Sequence, residues 1–204
     1  CLVCFESLMK LEKAQDFFSP QDILCVSCRS KLIAKPVKIT IDDFVVYALY
    51  PYEPTFQRLL IQYKDLFDEA LAPIFLYPYR KQLKKWFKGK KVVPIPSHES
   101  HIQQRGFDHV PLMFSALNLE IEEVLEKVSQ RHQARSHFMQ RHDLLFQLKK
   151  EIKGSVILID DMCTTSESLR QAKACLDGDV VCFTIGYHPL LLKQYQTVPW
   201  KRLK

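Results

Sequence analysis

The stretch Val156–Leu169, V-I-L-I-D-D-M-C-T-T-S-E-S-L, constrains the fold more than any other part of the chain. Four consecutive apolar residues, three of them β-branched, follow Gly154-Ser155 and end at two acids, which predicts a short strand over 156–159 buried on both faces. After Asp160-Asp161, the residues Thr164-Thr165-Ser166 are all good helix N-cap types and precede a helical pattern at Leu169, Ala172, Ala174, Cys175 and Leu176. That order puts the acids at the carboxyl end of a parallel strand, where open α/β sheets bind ligands. Backbone N–H groups at the following helix start, with the hydroxyls beside them, suit an anion. Two carboxylates next to a phosphate pocket fit a sugar phosphate. The same residues also fit a Walker B strand end, or a helix cap that binds nothing.

The 204 residues and 47% hydrophobic content match one α/β domain with a small appendage. No apolar run approaches the roughly 18 residues of a membrane helix, and the start Cys-Leu-Val-Cys lacks a basic region followed by an apolar core. The expectation is a cytoplasmic protein without membrane insertion. Only five glycines are present, none within G-x-x-x-x-G-K-[ST] or G-x-G-x-x-G, which removes most of the case for P-loop and Rossmann folds.

Four of the seven cysteines form two C-x-x-C pairs, Cys1/Cys4 and Cys25/Cys28, at four-cysteine zinc spacing. Four thiolates around a tetrahedral ion leave no open position, so the metal expected is a structural zinc. Disulfides, or a redox C-x-x-C, are the alternatives. Cys175 and Cys182 read as core residues, and Cys163 as a partly exposed thiol. Lys35-Pro36 marks the exit from the knuckle, giving a zinc-binding unit over 1–36 and an α/β domain over 37–204.

Within the second unit, V-K-I-T-I and F-V-V-Y-A-L-Y predict one or two strands interrupted by Asp42-Asp43. Pro54 opens a helix to about Lys64, and a second helical pattern starts near Asp68. Strands are expected at 92–95, 123–128 and 180–185, and helical segments at 110–119 and 144–148. Leu11–Phe18 reads as a loop or single turn. His98 and His101 lack the i, i+4 spacing of a helical metal pair, and Pro199-Trp200 should dock at an unspecified place.

Arg80–Lys91 holds seven cations and no acid, so removing it from the net charge of +6 leaves about −1 for the rest of the chain. Arg80, Lys81, Lys84, Lys85, Lys88, Lys90 and Lys91 can follow a phosphate backbone while Trp86 and Phe87 stack on bases. A solvated helix face is the plainer alternative. Ser129–Arg141, with three Arg, two His and no acid, can cover a pyrophosphate or be a solvent loop.

I-L-I-D-D-M-C-T-T-S-E-S resembles the phosphoribosyl-pyrophosphate (PRPP) loop of type I phosphoribosyltransferases, an apolar strand followed by D-D-x-x-T-T-G-x-T. With the two C-x-x-C pairs, Tyr63-Lys64 and Asp68, Val93-Pro94-Ile95-Pro96, Arg105-Gly106-Phe107, and Gln133 with Arg141, nearly the whole chain is similar to the ComF family of competence proteins. The resemblance implies a doubly wound, mainly parallel sheet of the type I phosphoribosyltransferase kind, preceded by a four-cysteine zinc knuckle. It implies that Asp160 and Asp161 bind ribose hydroxyls, that Thr164, Thr165, Ser166 and Ser168 surround the 5′-phosphate, and that Arg105 lies in the pyrophosphate-side loop.

The implied role is natural transformation: handling incoming single-stranded DNA beside a DNA-translocating ATPase/helicase of the ComFA kind, docked through the knuckle. PRPP, with Mg²⁺, is the implied ligand. Ser166 stands where the family has Gly, Ser168 where it has Thr, Ser100-His101 where it has arginines, and Asp108-His109 where it has Asn-Gln. Ser166 adds a Cβ where backbone approaches phosphate. No general base is identifiable, so no catalytic residue is assigned and a binding and adaptor role is favoured. An active PRPP-dependent transferase on an unidentified acceptor stands as the alternative.

Overall fold

The computed structural model describes residues 1–8, 22–127 and 146–203. The expected turn at 11–18 and the cationic loop at 129–141 lie outside these residues.

Among the described residues the central sheet has six strands. They are β1 (Val37–Ile41), β2 (Phe44–Pro51), β3 (Lys91–Pro94), β6 (Val156–Cys163), β7 (Val180–Tyr187) and β8 (Gln196–Pro199), in the order β3-β6-β7-β2-β1-β8. The pairs β3/β6, β6/β7 and β7/β2 are parallel, whereas β1 and β8 add an antiparallel margin. Asp42-Asp43 forms the two-residue loop of the β1/β2 hairpin, with Asp42 at φ 45° in the left-handed region that such turns use.

Side-chain alternation along β6 sorts the core into two layers. Ile157 and Ile159 pack with α2 (Pro54–Lys64), α3 (Arg80–Phe87) and α5 (His109–Phe114), together with the 3₁₀ segment Glu69–Phe75. Val156 and Leu158 pack on the opposite face with α6 (Glu167–Ala174) and the hairpin of β4 (Leu125–Lys127) and β5 (Phe146–Leu148). Helices on both faces of a mainly parallel sheet make the fold doubly wound α/β, as expected.

Several expectations change. The strand over 156–159 continues through the acid pair to Cys163, because β7 keeps offering register partners: Asp160↔Thr184, Met162↔Gly186, Cys163↔Tyr187. Residues 146–148, read as part of a helix, form β5 instead, since the alternation Phe-Gln-Leu buries only Phe146 when paired with β4. Cys163 is buried, not partly exposed, and its desolvation pushes the thiol up to about 12. Pro199-Trp200 docks against Tyr47, Trp86 and Phe183, with Trp200 Nα–H donating to the Pro36 carbonyl.

The amino-terminal unit is tied to the domain. Arg29 forms a bidentate pair with Asp22 and donates from Nη1 to the Ile74 carbonyl at 3.1 Å. Leu24 and Leu32 enter the larger core cluster. No helix among the described residues is long and apolar enough to cross a membrane.

Candidate functional site

The site is built where β6 leaves the sheet core. Asp161 lies on the face covered by α2 and α5 and is only 5% exposed. Desolvation alone would raise its pKa, but the His109 contact and the Lys64 charge outweigh that and hold the carboxyl well below the usual range. Lys64 Nζ sits 2.6 Å from Asp161 Oδ2, and His109 Nε2 lies 3.4 Å from the same oxygen.

Behind this pair the partners are themselves held. Arg105, in the last turn of α4 (Glu99–Arg105), donates from Nε to the Lys64 carbonyl at 2.7 Å, which fixes the end of α2. Its Nη1 is buried and finds no partner among the described residues. His109 is buried at the start of α5, with Nδ1 at 3.1 Å from Ser97 Oγ and 3.6 Å from Asp108 Oδ1. Tyr63 Oη donates to the His109 carbonyl at 2.7 Å. Burial lowers the His109 pKa, but Asp108 and Asp161 on its two sides raise it on balance. The result is a chain of contacts, Ser97–Asp108–His109–Asp161–Lys64–Arg105, joining β6 to α2, α4 and α5.

Asp160 behaves differently. It faces away from Asp161 along the strand, opposite Thr184, whose buried hydroxyl has no partner among the described residues. Burial first, then the neighbouring Asp161 charge, pushes its pKa well above the carboxylate range. Asp160 Oδ1 accepts the Asp161 N–H at 2.9 Å. Two adjacent carboxyls are thereby given opposite proton affinities.

The loop after β6 leaves Thr164 and Thr165 exposed and buries Ser166, and Ser168 is exposed in the first turn of α6. Ser166, at φ 64° and ψ −2°, takes the left-handed conformation that favours glycine. It precedes α6 without a side-chain cap, its hydroxyl donating to the Thr165 carbonyl instead. Thus the serine holds a backbone shape that glycine takes without strain. Two cavities flank the contact chain. One of about 330 Å³ is bordered by Ser97, His98 and Asp108, and one of about 320 Å³ by Lys64, His101 and Arg105. His98 is exposed and caps α4 through Nδ1.

The cationic segment divides. Lys81, Lys84, Lys85 and Lys88 are exposed. Arg80 instead stacks over Tyr77 at 3.8 Å, Lys90 lies 4.6 Å above the Trp86 ring, and Lys91 pairs with Glu122 at 2.6 Å. Trp86 is half-buried in an aromatic cluster.

The sulfurs of Cys1, Cys4, Cys25 and Cys28 lie within 4.8 Å of one another, and those of Cys4 and Cys25 are 3.6 Å apart. Four sulfurs at about 2.3 Å from a tetrahedral zinc are separated by about 3.8 Å, so this set fits the ion. The Cys28 N–H lowers the Cys25 thiol pKa, while desolvation and the neighbouring thiols push Cys28 up to about 11. Without a cation the cluster resists full ionisation; a divalent ion removes that conflict.

Sequence reasoning missed His109 as a site residue, together with Ser97 and Asp108, and took Lys64 only as part of a family marker. The available signal was the departure at Asp108-His109 from the Asn-Gln of the resembled family.

A doubly wound, mainly parallel sheet thus carries an acid pair and a hydroxyl loop at the end of β6 and is joined to a four-cysteine cluster. The chain's relatives are competence proteins. It is 28% identical over 134 residues to "Competence protein ComFC" of Streptococcus pneumoniae, covering 64% of this chain and 60% of that protein. The match therefore spans less than two thirds of the pneumococcal protein. It is 23% identical over 210 residues to "Competence protein ComFC" of Bacillus subtilis, covering 86% and 88%. A hypoxanthine phosphoribosyltransferase structure from Staphylococcus aureus overlaps 60% of this chain and 66% of its own, at 14% identity and a TM-score of 0.34, too loosely to bear on the assignment. No family model matches the chain.

Proposed function

We propose that the protein is a phosphoribosyltransferase-fold accessory protein of natural competence, acting in the cytoplasm on incoming single-stranded DNA and binding a PRPP-like sugar phosphate at the end of β6. The observation that carries the pocket is the engaged carboxylate of Asp161 next to the exposed hydroxyls of Thr164, Thr165 and Ser168. In this reading Asp160 and Asp161 accept from the ribose hydroxyls. The loop N–H groups and hydroxyls, including Ser166, take the 5′-phosphate at the start of α6. Arg105, Lys64 and their cavity carry positive charge towards the pyrophosphate, which brings Mg²⁺ with it. Zinc, held by the four cysteines, fixes the amino-terminal unit, which docks a DNA-translocating ATPase of the ComFA kind.

The DNA side rests on the exposed cations Lys81, Lys84, Lys85 and Lys88 together with the competence relatives. Single-strand affinity falls steeply with salt in this reading, and replacing Lys84, Lys85 and Lys88 flattens the slope.

The deciding experiment is thermal denaturation with PRPP and Mg²⁺. At 100 times the dissociation constant the ligand stabilises by about 2.7 kcal/mol, a rise of roughly 5–10 °C for a chain of this size. Asp161→Asn removes the rise relative to its own baseline. No shift at millimolar PRPP sinks the pocket. Pyrophosphate release in the presence of nucleobases or single-stranded DNA would replace the adaptor reading by the transferase one.

A further inference from the structure

On the face of the sheet beneath α3, strand register sets Phe183, Tyr47, Lys38 and Val198 in one row across β7, β2, β1 and β8. Exposure rises along that row: Phe183 is fully buried, Tyr47 and Lys38 are half-buried, and Val198 is 46% exposed. The next row repeats the trend, with Val45 and Thr40 half-buried and Gln196 exposed. Ile39 and Ile41, pointing to the opposite face, are fully buried. Among the described residues the helical layer over this face thus stops near β2, and β1 and β8 project past it as an uncovered ledge.

At the step between layer and ledge stand three rings, Tyr47, Trp86 and Trp200, with centroids 4.8–5.0 Å apart. Beside them opens a slot of about 190 Å³ bordered by Lys38, Tyr47, Trp86, Val198, Pro199 and Trp200. Lys38 stands in its wall, Lys90 caps the Trp86 ring, and the exposed lysines of α3 follow on the same helix that supplies Trp86. A greasy protein ligand gains little from a rim of lysines. A strand of nucleotides uses both elements, stacking a base on the rings and setting its phosphates on the cations.

We infer that this ledge is a platform for single-stranded nucleic acid, with one base lodged in the slot against Trp86 and Tyr47 and the backbone passing Lys38 and the lysines of α3. The inference rests on the reading that the protein handles single-stranded DNA, and it relocates the contact from the helix alone to the margin of the sheet.

The only two tryptophans of the chain, Trp86 and Trp200, border the slot, so intrinsic emission reports on it. The test titrates the whole chain with a dye-labelled oligothymidylate, following label anisotropy and tryptophan emission together. Saturating quenching that tracks anisotropy is expected. Lys38→Glu and Val198→Glu, on the ledge surface, should weaken binding about tenfold or more and remove the quenching; Trp86→Phe should weaken binding similarly where it folds. Binding with unchanged emission, or ledge variants that bind as tightly as the parent, overturns the platform and leaves the DNA reading standing. Absence of binding by both signals overturns both. Emission that changes with protein concentration alone, alongside a dimer in sedimentation, overturns the inference by giving the ledge to a second copy of the chain.

Discussion

Replacing Asp161 and Asp160 separately by Asn should give opposite results, although the two residues are adjacent and alike. Asp161 holds a 2.6 Å pair to Lys64 and a 3.4 Å contact to His109, with side-chain exposures of 7%, 32% and 9% for the acid, the lysine and the histidine. Removing one partner of a buried pair costs about 3–5 kcal/mol. Lys64 can swing into water, which reduces the expected loss for Asp161→Asn to about 2–3 kcal/mol, or roughly 5–10 °C in melting temperature. In Asp160→Asn the amide oxygen can still accept the Asp161 N–H, while the repulsion between two carboxylates disappears. Its melting temperature should stay level or rise.

The pH dependence carries the same asymmetry. Asp161 is depressed, so its stabilisation is present above the ordinary value of 3.8 and fades as pH falls through its lower folded value. Asp160 is raised, so it destabilises above 3.8 and is relieved by acid. In the Asp160→Asn background the acid loss from Asp161 should therefore stand out more steeply than in the parent. Denaturant titrations of the three proteins from pH 7 down to about pH 2 check this. An Asp160→Asn protein as damaged as Asp161→Asn would refute the assigned division of roles.

His109→Gln should remove a stability term that is present below pH 6.5 and declines as pH rises through the raised folded pKa set by Asp108 and Asp161 against Lys64; the parent's slope above pH 6.5 should flatten in the variant, and an unchanged slope contradicts the geometry. Chelation should release one zinc per chain and loosen the amino-terminal unit, read as new hydrogen exchange around Leu24 and Leu32; metal analysis finding no zinc refutes it. Ser166→Gly should raise stability by about 0.5–1 kcal/mol by relieving a left-handed serine, and a loss in denaturant melts would show that the Ser166 hydroxyl matters more than its φ.

The parts of this protein that are legible in its sequence are those whose cause is local. An apolar β-branched run bounded by glycine and acids has few choices besides a central strand, and two C-x-x-C pairs at that spacing come together as one four-sulfur cluster. Phe146–Leu148 is three residues long and its pattern suits either a helix or a strand, so β4 decides it. The extension of β6 past its acids likewise depends on β7, whose Gly186 must lack a side chain: a Cβ there would stand 2.2 Å from Met162 Sδ and 2.5 Å from Phe56. The site shows the same division. Asp160, Asp161 and the hydroxyls belong to one contiguous motif, whereas the partners that set their charge arrive from α2 and α5 through tertiary packing. His109 left one trace in the sequence, a mismatch to the Asn-Gln of the resembled family. Burial between Asp108 and Asp161 makes that residue a contact: a cation-forming ring placed where it can keep Asp161 ionised. The departures at 108–109 and 166 are thus of different kinds. Ser166 holds a left-handed backbone shape that glycine takes without strain, while His109 puts a titratable ring beside Asp161 where the resembled pattern has an amide.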